Sequence, residues 1–586
     1  MNRALRILFL SHSFNSLTQR LYDELAERGH EISVEFDIND SVTVDAARLY
    51  QPDLVVAPYL RRAIPEAVWR RHVCLVLHPG IRGDRGPSAL DWAIVNEEAE
   101  WGVTVLQANA QMDGGDIWAS AGFPMRAARK SSLYRNEVTE AAVTALLAAV
   151  DRFQSGAFVP QPLDVRDPAV RGRARPLMRQ AQRRIDWLND DSASILRKIR
   201  SADGVPGVED EIFGQPYLLF DACAEGSLRG RTGEIIARRD GAICRATRDG
   251  AVWIGHLRRI VSDERTFKLP AVAALGPRAD EVAELPLPPD ATPGVPTYRE
   301  ISYAEEQGVG YLYFDFYNGA MSSAQCTRLL HAYRRACARP TRVIVLFGGR
   351  DFWSNGIHLN VIESAESPAD ESWRNINAMD DLAQAIITTT SHLTISAMRG
   401  NAGAGGVFLA LAADHVWART GVILNPHYKS MGNLYGSEYW TYLLPKRVGR
   451  QRAEAITENR LPLGVCAARR LGLIDDHFGD TEEEFRQSVR VRAREIADDP
   501  AFLQALAYKN QRRSRDEDER PLQSYREEEL ERLRMNFYGF DPSYHVARYH
   551  FVHRVPHSWT PLHLARHRRL DWGRESAERR PGFGAG

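Results

Sequence analysis

The sequence predicts a multidomain α/β protein: an open parallel sheet at the N-terminus, a small β-barrel, and a second α/β unit with a helical C-terminal extension. Three observations predict it. The chain has 586 residues, too many for one core. Short apolar runs alternate with helical segments in residues 4–77. After a proline-rich stretch, ELPLPPDATPGVP (residues 284–296), a strand–turn–helix pattern starts again.

Composition narrows the class. Hydrophobic content of 44% and charged content of 26% are ordinary for a globular protein. The net charge of -1 supplies no global attraction to nucleic acid or anionic membrane, so neither partner is expected. The six cysteines are scattered without a Cys-x-x-Cys, which suits a reducing cytoplasm and disfavours a cysteine zinc site. No run reaches the length of a membrane span. Ala4 to Leu10 reads as a first buried strand rather than a signal peptide.

The runs ALRILFL, EISVEF, LVVA and VCLVL are the strands of the first sheet, with a helix over Leu17 to Arg28. Such alternation implies βαβ units, with ligands at the carboxyl ends of strands. His78 stands at such an end. The segment HPGIRGDRGPSALDWAIVNEEAEWGVTVLQANAQMDGGD follows, with a strand from Gly102 to Ala108 leading to the turn Asp113-Gly114-Gly115-Asp116. A histidine and an aspartate at the ends of neighbouring strands can pair and move protons in acyl or formyl transfer.

This segment resembles the active-site stretch of the 10-formyltetrahydrofolate-dependent formyltransferases. The match runs through His78, Arg85-Gly86, Trp92-Ala93-Ile94, Gly102-Val103-Thr104 and Asp113-Gly114-Gly115. The resemblance implies that His78 and Asp113 are catalytic. It also implies that Tyr59, Gly80, Ile81, Arg82, Gly114 and Gly115 line the 10-formyltetrahydrofolate site. Where the family has an asparagine, this chain has Val76, so one oxyanion donor is lost. A thiol releases its proton more readily than an amine, and is the expected acceptor.

From residue 171 a helical segment containing Arg183-Arg184-Ile185-Asp186-Trp187 precedes short alternating strands. They resemble the C-terminal barrel of the tRNA formyltransferases. Boundaries are expected at 1–170, 171–283, 284–296, 297–505 and 506–586.

Residues 297–505 resemble the crotonase (enoyl-CoA hydratase/isomerase) superfamily, most specifically at GNAGAGGVFLALAADHVWA. The resemblance implies coenzyme A binding and an oxyanion hole of two backbone N–H groups, on Ile357 and Gly405. Ser354, Gly356 and Gly406, on the same two loops, are implied to bind coenzyme A. The family's two glutamate positions carry Phe408 and His427, so ordinary hydration is not expected. The segment NPHYKSMGNLYGSEYWTYLLP offers His427, Tyr428, Tyr435, Glu438 and Tyr439 instead, with Tyr428 and Glu438 the leading catalytic candidates.

The tail histidines His545, His550, His553, His557, His563 and His567 match no metal-ligand spacing and read as solvated or packed. The tail itself reads as an extension of the crotonase-like part.

Both resemblances in one chain are similar to the fused hydrogenase maturation factors. That implies formyl transfer from 10-formyltetrahydrofolate to coenzyme A, then splitting of formyl-CoA to carbon monoxide. The implied partners are the hydrogenase maturation machinery or a hydrogenase precursor. The alternatives are a formyltransferase acting on an amine beside an inert crotonase-like scaffold, or a non-catalytic maturation chaperone.

Overall fold

The computed structural model describes residues 3–164, 166–168, 170–292 and 294–569. Residues 570–586, the end of the expected extension, lie outside it. The chain divides into two compact units. One is made of residues up to Gln182 together with those from Pro556 onward. The other runs from Arg183 to Val555.

The first unit is built on a six-stranded sheet. Its strands are β1 (Arg6–Ser11), β2 (Glu31–Phe36), β3 (Leu54–Tyr59), β4 (Cys74–His78), β5 (Glu100–Gln107) and β6 (Ile117–Pro124), in the order β2-β1-β3-β4-β5-β6. The first four are parallel, and their near-continuous burial reflects helices on both faces. Asn15 and Asn39 cap the helices Ser16–Glu27 and Asp40–Tyr50 with their side chains. The expected open parallel sheet is found over β1 to β4; beyond it, β5 runs antiparallel to β4 and forms a hairpin with β6. The chain leaves β1 toward β2 on one side and reaches β3 on the other. A crevice therefore opens at the carboxyl ends of β1 and β3.

Strand β2 is an edge, but residues from the end of the chain cover it. Val34 N donates to Leu564 O at 3.0 Å and Phe36 N to Thr560 Oγ1 at 2.9 Å. Buried Glu35 is met by His567 Nε2 at 2.9 Å, by Arg568 Nε at 2.6 Å and by the Thr560 hydroxyl. Burial pushes the Glu35 carboxyl up, but these partners overcome it and hold it below its ordinary value. The tail was read as an extension of the crotonase-like part. Its residues 556–569 instead complete the first unit, because an unpaired strand edge and a buried carboxylate both need partners.

The second unit begins with β7 (Val208–Ile212), β8 (Gln215–Glu225), β9 (Ile235–Arg239), β10 (Ala242–Ala246), β11 (Ala251–Arg259) and β12 (Leu269–Pro270). They pair antiparallel in the order β7-β8-β11-β10-β9, with β12 against β11. Among the described residues this path does not close, so the barrel-like domain is an open antiparallel sheet. The helix Ser192–Ala202, capped by Asp191, packs Ile195 and Ile199 on its apolar face.

Then come β13 (Ile301–Glu306), β14 (Val309–Phe314), β15 (Val343–Phe347), β16 (Phe352–Ser354), β17 (Leu393–Met398), β18 (Asn401–Gly403), β19 (His415–Arg419), β20 (Ile423–Asn425), β21 (Leu463–Gly464) and β22 (Asp476–Phe478). They form two sheets, β13-β14-β15-β17-β19-β22 and β16-β18-β20-β21. Strands β15, β17 and β19 each hand over to a short strand of the smaller sheet, and a helix follows twice: Leu359–Ser364 after β16 and Gly405–Leu411 after β18. The handover places the short loops after β16 and β18 side by side. Helices Phe502–Glu519, Leu522–Tyr538 and Ser543–Val552 extend the unit. The second of these packs on the Pro368–Ile387 helix.

Candidate active sites

In the first unit, β4 delivers His78 to the carboxyl end of the sheet, where it is buried. Its Nε2 lies 3.0 Å from Asp84 Oδ2 and its Nδ1 lies 3.6 Å from Asp113 Oδ2. The expected histidine–aspartate pair is thus brought together, with a second carboxylate on the other ring nitrogen. Asp113 has φ 51° and is fixed by the Gly86 N–H, which donates to Oδ2 at 3.1 Å. Asp84 is fully buried and its Oδ1 faces Arg175 Nε at 3.5 Å. Sequence reasoning missed Asp84. Its only signal was an acidic residue inside the glycine-rich loop.

Gly80 is required by that pair: a β-carbon there would stand 2.7 Å from Asp84 Oδ2 and closer to the His78 ring. Gly80 O accepts from Thr104 Oγ1 at 2.8 Å, which ties the loop to β5. Ile81 and Arg82 line an open cavity of about 360 Å³ with Trp101, Gly102 and Arg171. Gly114 and Gly115 lie in the turn before β6, and a β-carbon on Gly115 would run into Gln107 O. Val76 packs with the apolar cluster that includes Val55, Ala57 and Cys74 and offers no donor there.

Tyr59 ends β3 beside His12, with ring centroids 6.0 Å apart, and 6.4 Å from Tyr134. His12 Nδ1 pairs with Asp37 Oδ1 at 2.8 Å, and Arg61 N donates to Asp37 Oδ2 at 3.0 Å. This polar group occupies the crevice ends of β1, β2 and β3. His12, Asp37 and Tyr134 were not among the expected site residues. Each is an isolated polar residue at a strand end or in a helix.

In the second unit, the loops after β16 and β18 meet. A β-carbon on Gly356 would stand 3.4 Å from Gly405 N. Ile357 follows Gly356 and bridges to Met321. The expected donors, Ile357 N and Gly405 N, therefore belong to adjoining backbone. Ser354 Oγ accepts from Gly356 N at 3.1 Å, and Trp353 Nε1 donates to Gly406 O at 2.9 Å. Ala404 holds φ 48° just before Gly405, a costly conformation for a residue with a β-carbon, locked by its N–H to Asn425 O at 2.9 Å.

Glu438 reaches this place from the Ser437–Trp440 turn. A β-carbon on Gly405 would lie 2.8 Å from Glu438 Oε2 and nearer still to its other carboxyl atoms. Glu438 is buried, 1% exposed, and Tyr428 Oη makes a very short hydrogen bond to its carboxyl. Burial, then the negative charge of Asp380, push Glu438 up to about 8. Burial, then Glu438, raise Tyr428 far above an ordinary phenol. The two leading candidates are therefore in contact, beside Gly405. Phe408 stacks on Tyr428 with centroids 5.3 Å apart and sets an apolar ring beside the pair. Tyr435 packs against Trp440, and Tyr439 is buried away in the core. His427 N donates to Asn425 O at 2.8 Å.

The tail histidines separate. His545 contacts Phe537 O and Arg548, His553 contacts Glu363, and His567 is buried on Glu35. No metal-ligating group of three occurs among the described residues, and no helix there is long and apolar enough to cross a membrane.

Three family signatures match the chain: "Formyl transferase" over residues 6–150, "Formyl transferase, C-terminal domain" over 177–266, and "Enoyl-CoA hydratase/isomerase" over 305–542. The hydrogenase maturation factor HoxX of Bradyrhizobium diazoefficiens is 57% identical over 564 residues, covering 96% of this chain and 97% of that one. The crystal structure of HypX from Aquifex aeolicus in complex with tetrahydrofolic acid superposes with a TM-score of 0.94 at 51% identity, covering 97% of this chain and 99% of that one. A methionyl-tRNA formyltransferase of Citrifermentans bemidjiense is 28% identical over 204 residues, 34% of this chain and 62% of that one.

Proposed function

We propose, from the premise that this chain belongs to the hydrogenase maturation factor family of HoxX and HypX, that its two sites make carbon monoxide in sequence. In the first step the thiol sulfur of coenzyme A attacks the formyl carbon of 10-formyltetrahydrofolate. The C–S bond forms, the C–N bond breaks, and the thiol proton ends on N10. His78 carries that proton and steadies the tetrahedral oxyanion. Asp113 and Asp84 hold its two ring nitrogens. Tyr59, Gly80, Ile81, Arg82, Gly114 and Gly115 would hold the folate, and the crystallised HypX relative with tetrahydrofolic acid supports a folate site in this fold. Val76 leaves the oxyanion one donor short and favours a thiol over an amine.

In the second step formyl-CoA gives carbon monoxide and coenzyme A. The C–H and C–S bonds break, and the proton passes from carbon to sulfur, so no oxidant or reductant is needed. Ile357 N and Gly405 N hold the carbonyl oxygen, Glu438 takes the formyl proton, and Tyr428 relays it to the departing sulfur. Ser354, Gly356 and Gly406 let those loops approach closely and would line the coenzyme A side.

The observation that carries this reading is the Tyr428–Glu438 pair pressed on Gly405, with Phe408 stacked on Tyr428. The test is carbon monoxide release, read as the carbonyl-haemoglobin spectrum, from purified protein given 10-formyltetrahydrofolate and coenzyme A. Carbon monoxide in proportion to tetrahydrofolate is the expected result. Formyl transfer to an amine with none to coenzyme A would overturn it.

A further inference from the structure

Glu438 does not hold its place alone. Glu438 and Tyr439 are consecutive left-handed residues, with φ of 60° and 59°. Residues with a β-carbon seldom adopt that region singly and more rarely in succession. Two distant carboxylates supply the partners that fix the turn. Glu438 N donates to Asp380 Oδ1 at 2.8 Å. Tyr439 N donates to Glu529 Oε2 at 3.0 Å, and Thr441 N to Glu529 Oε1 at 2.8 Å. Ser437 Oγ touches both, at 2.9 Å from Asp380 and 3.2 Å from Glu529. Asp380 comes from the Pro368–Ile387 helix and Glu529 from the Leu522–Tyr538 helix of the C-terminal extension. All three carboxyls are buried.

Charged or titratable groups face this cluster from the helices and the turn around it, while the apolar Gly405–Leu411 helix presents none. Arg526 Nε stands 3.7 Å from Asp380 and shares its guanidinium with Asp381. Tyr428 bonds Glu438 directly, and the buried Cys326 thiol feels its charge. Three carboxyls beside one guanidinium cannot all be ionised in a dry interior. Burial pushes Asp380 up to about 6 against Arg526. Burial and then Asp380 push Glu529 up to about 8.

We propose that Asp380 and Glu529 are positioning residues of the second site: they fold the turn that presses Glu438 against Gly405, and their charge governs when Glu438 can accept a proton. The Leu522–Tyr538 helix of the extension is then part of that site. The inference rests on the reading of Glu438 as the base of the second step.

The test uses the full chain with Asp380→Asn and Glu529→Gln, given synthetic formyl-CoA across a range of pH. Asparagine keeps an acceptor for Glu438 N but removes the charge. Glu438 then ionises more easily, so the rising limb of kcat against pH moves down by about one unit. Glutamine turns an N–H2 toward an amide that needs an acceptor, which displaces the turn. It lowers kcat about tenfold or more with KM within about twofold. Thermal midpoints check folding. If Glu529→Gln does not accumulate, Asp380→Asn carries the test alone. An unmoved limb with unchanged kcat overturns the proposal.

A second measurement separates this inference from the functional reading. The infrared carboxyl band that disappears in Glu438→Gln is titrated in the parent and in Asp380→Asn. A parent that makes no carbon monoxide, with a band midpoint that falls in Asp380→Asn, sinks the reaction but keeps the coupling. An unmoved midpoint sinks the coupling itself.

Discussion

Gly405→Ala tests the proposed second site with a single methyl group. Gly405 is helical with negative φ, so alanine costs nothing in backbone conformation. The cost is contact: the new carbon lies 2.8 Å from Glu438 Oε2 and closer to the rest of the carboxyl, where about 3.4 Å is ordinary. The carboxyl must retreat by roughly 1 Å, and displacements of that size cost about 100-fold in rate. It cannot retreat freely, because Asp380 holds its backbone at 2.8 Å and Tyr428 holds its oxygen. Disturbing Gly405 N as an oxyanion donor adds to this, for a total of about 10²- to 10³-fold, or about 2.7–4 kcal/mol. Overpacking lowers stability by about 1–3 kcal/mol. The assay follows carbon monoxide from synthetic formyl-CoA and, separately, tetrahydrofolate from 10-formyltetrahydrofolate with coenzyme A. The first falls and the second holds. Gly294→Ala is the control, since nothing lies within 4 Å of its added carbon. Unchanged carbon monoxide release from folded Gly405→Ala would refute the placement of Glu438 against the oxyanion hole.

Asp84→Asn weakens the hold on His78 and lowers kcat for tetrahydrofolate release by roughly 10- to 100-fold with KM little changed, as steady-state kinetics would show. Glu438 and Glu529 are pushed up to about 8, whereas an unfolded glutamate ionises near about 4.3. As pH rises the unfolded chain loses these protons first, so stability falls from about pH 4 to about pH 8 and then levels. The thermal midpoint of Glu438→Gln is expected to fall less steeply across that window than the parent's. His567→Ala removes a charge-assisted partner from fully buried Glu35 and destabilises the first unit by about 1.5–3 kcal/mol, measurable by denaturant unfolding.

What could be read from the sequence was local. The apolar runs that became β1, β3 and β4 are continuous because both faces are covered, and His78 falls at the end of one of them. The glycines at 356, 405 and 406 sit in short patterns whose spacing survives translation into loops. Tyr428 and Glu438 lie ten residues apart in one distinctive segment. The residues that were missed share a different property. Asp84, Asp380 and Glu529 act on groups supplied by other elements, and a lone acidic residue in a loop or on a helix reads the same whether it is solvated or buried. His567 looked like one of six similar tail histidines. Only the folded edge of β2 distinguishes it. The direction of β5 was also hidden, because strand pattern carries burial but not polarity.

The cover on β2 has a consequence for how the protein is made. Its partners, residues 556–569, leave the ribosome only after the whole of residues 183–555. At ordinary rates of synthesis the edge of β2, with Glu35 unpaired, waits on the order of half a minute for Thr560, His567 and Arg568. During that time the first unit is an unfinished sheet with a bare edge, open to pairing with another nascent chain. A message truncated anywhere in the second unit would yield a first unit that never closes. Residues 556–569 thus report that everything before them has been made.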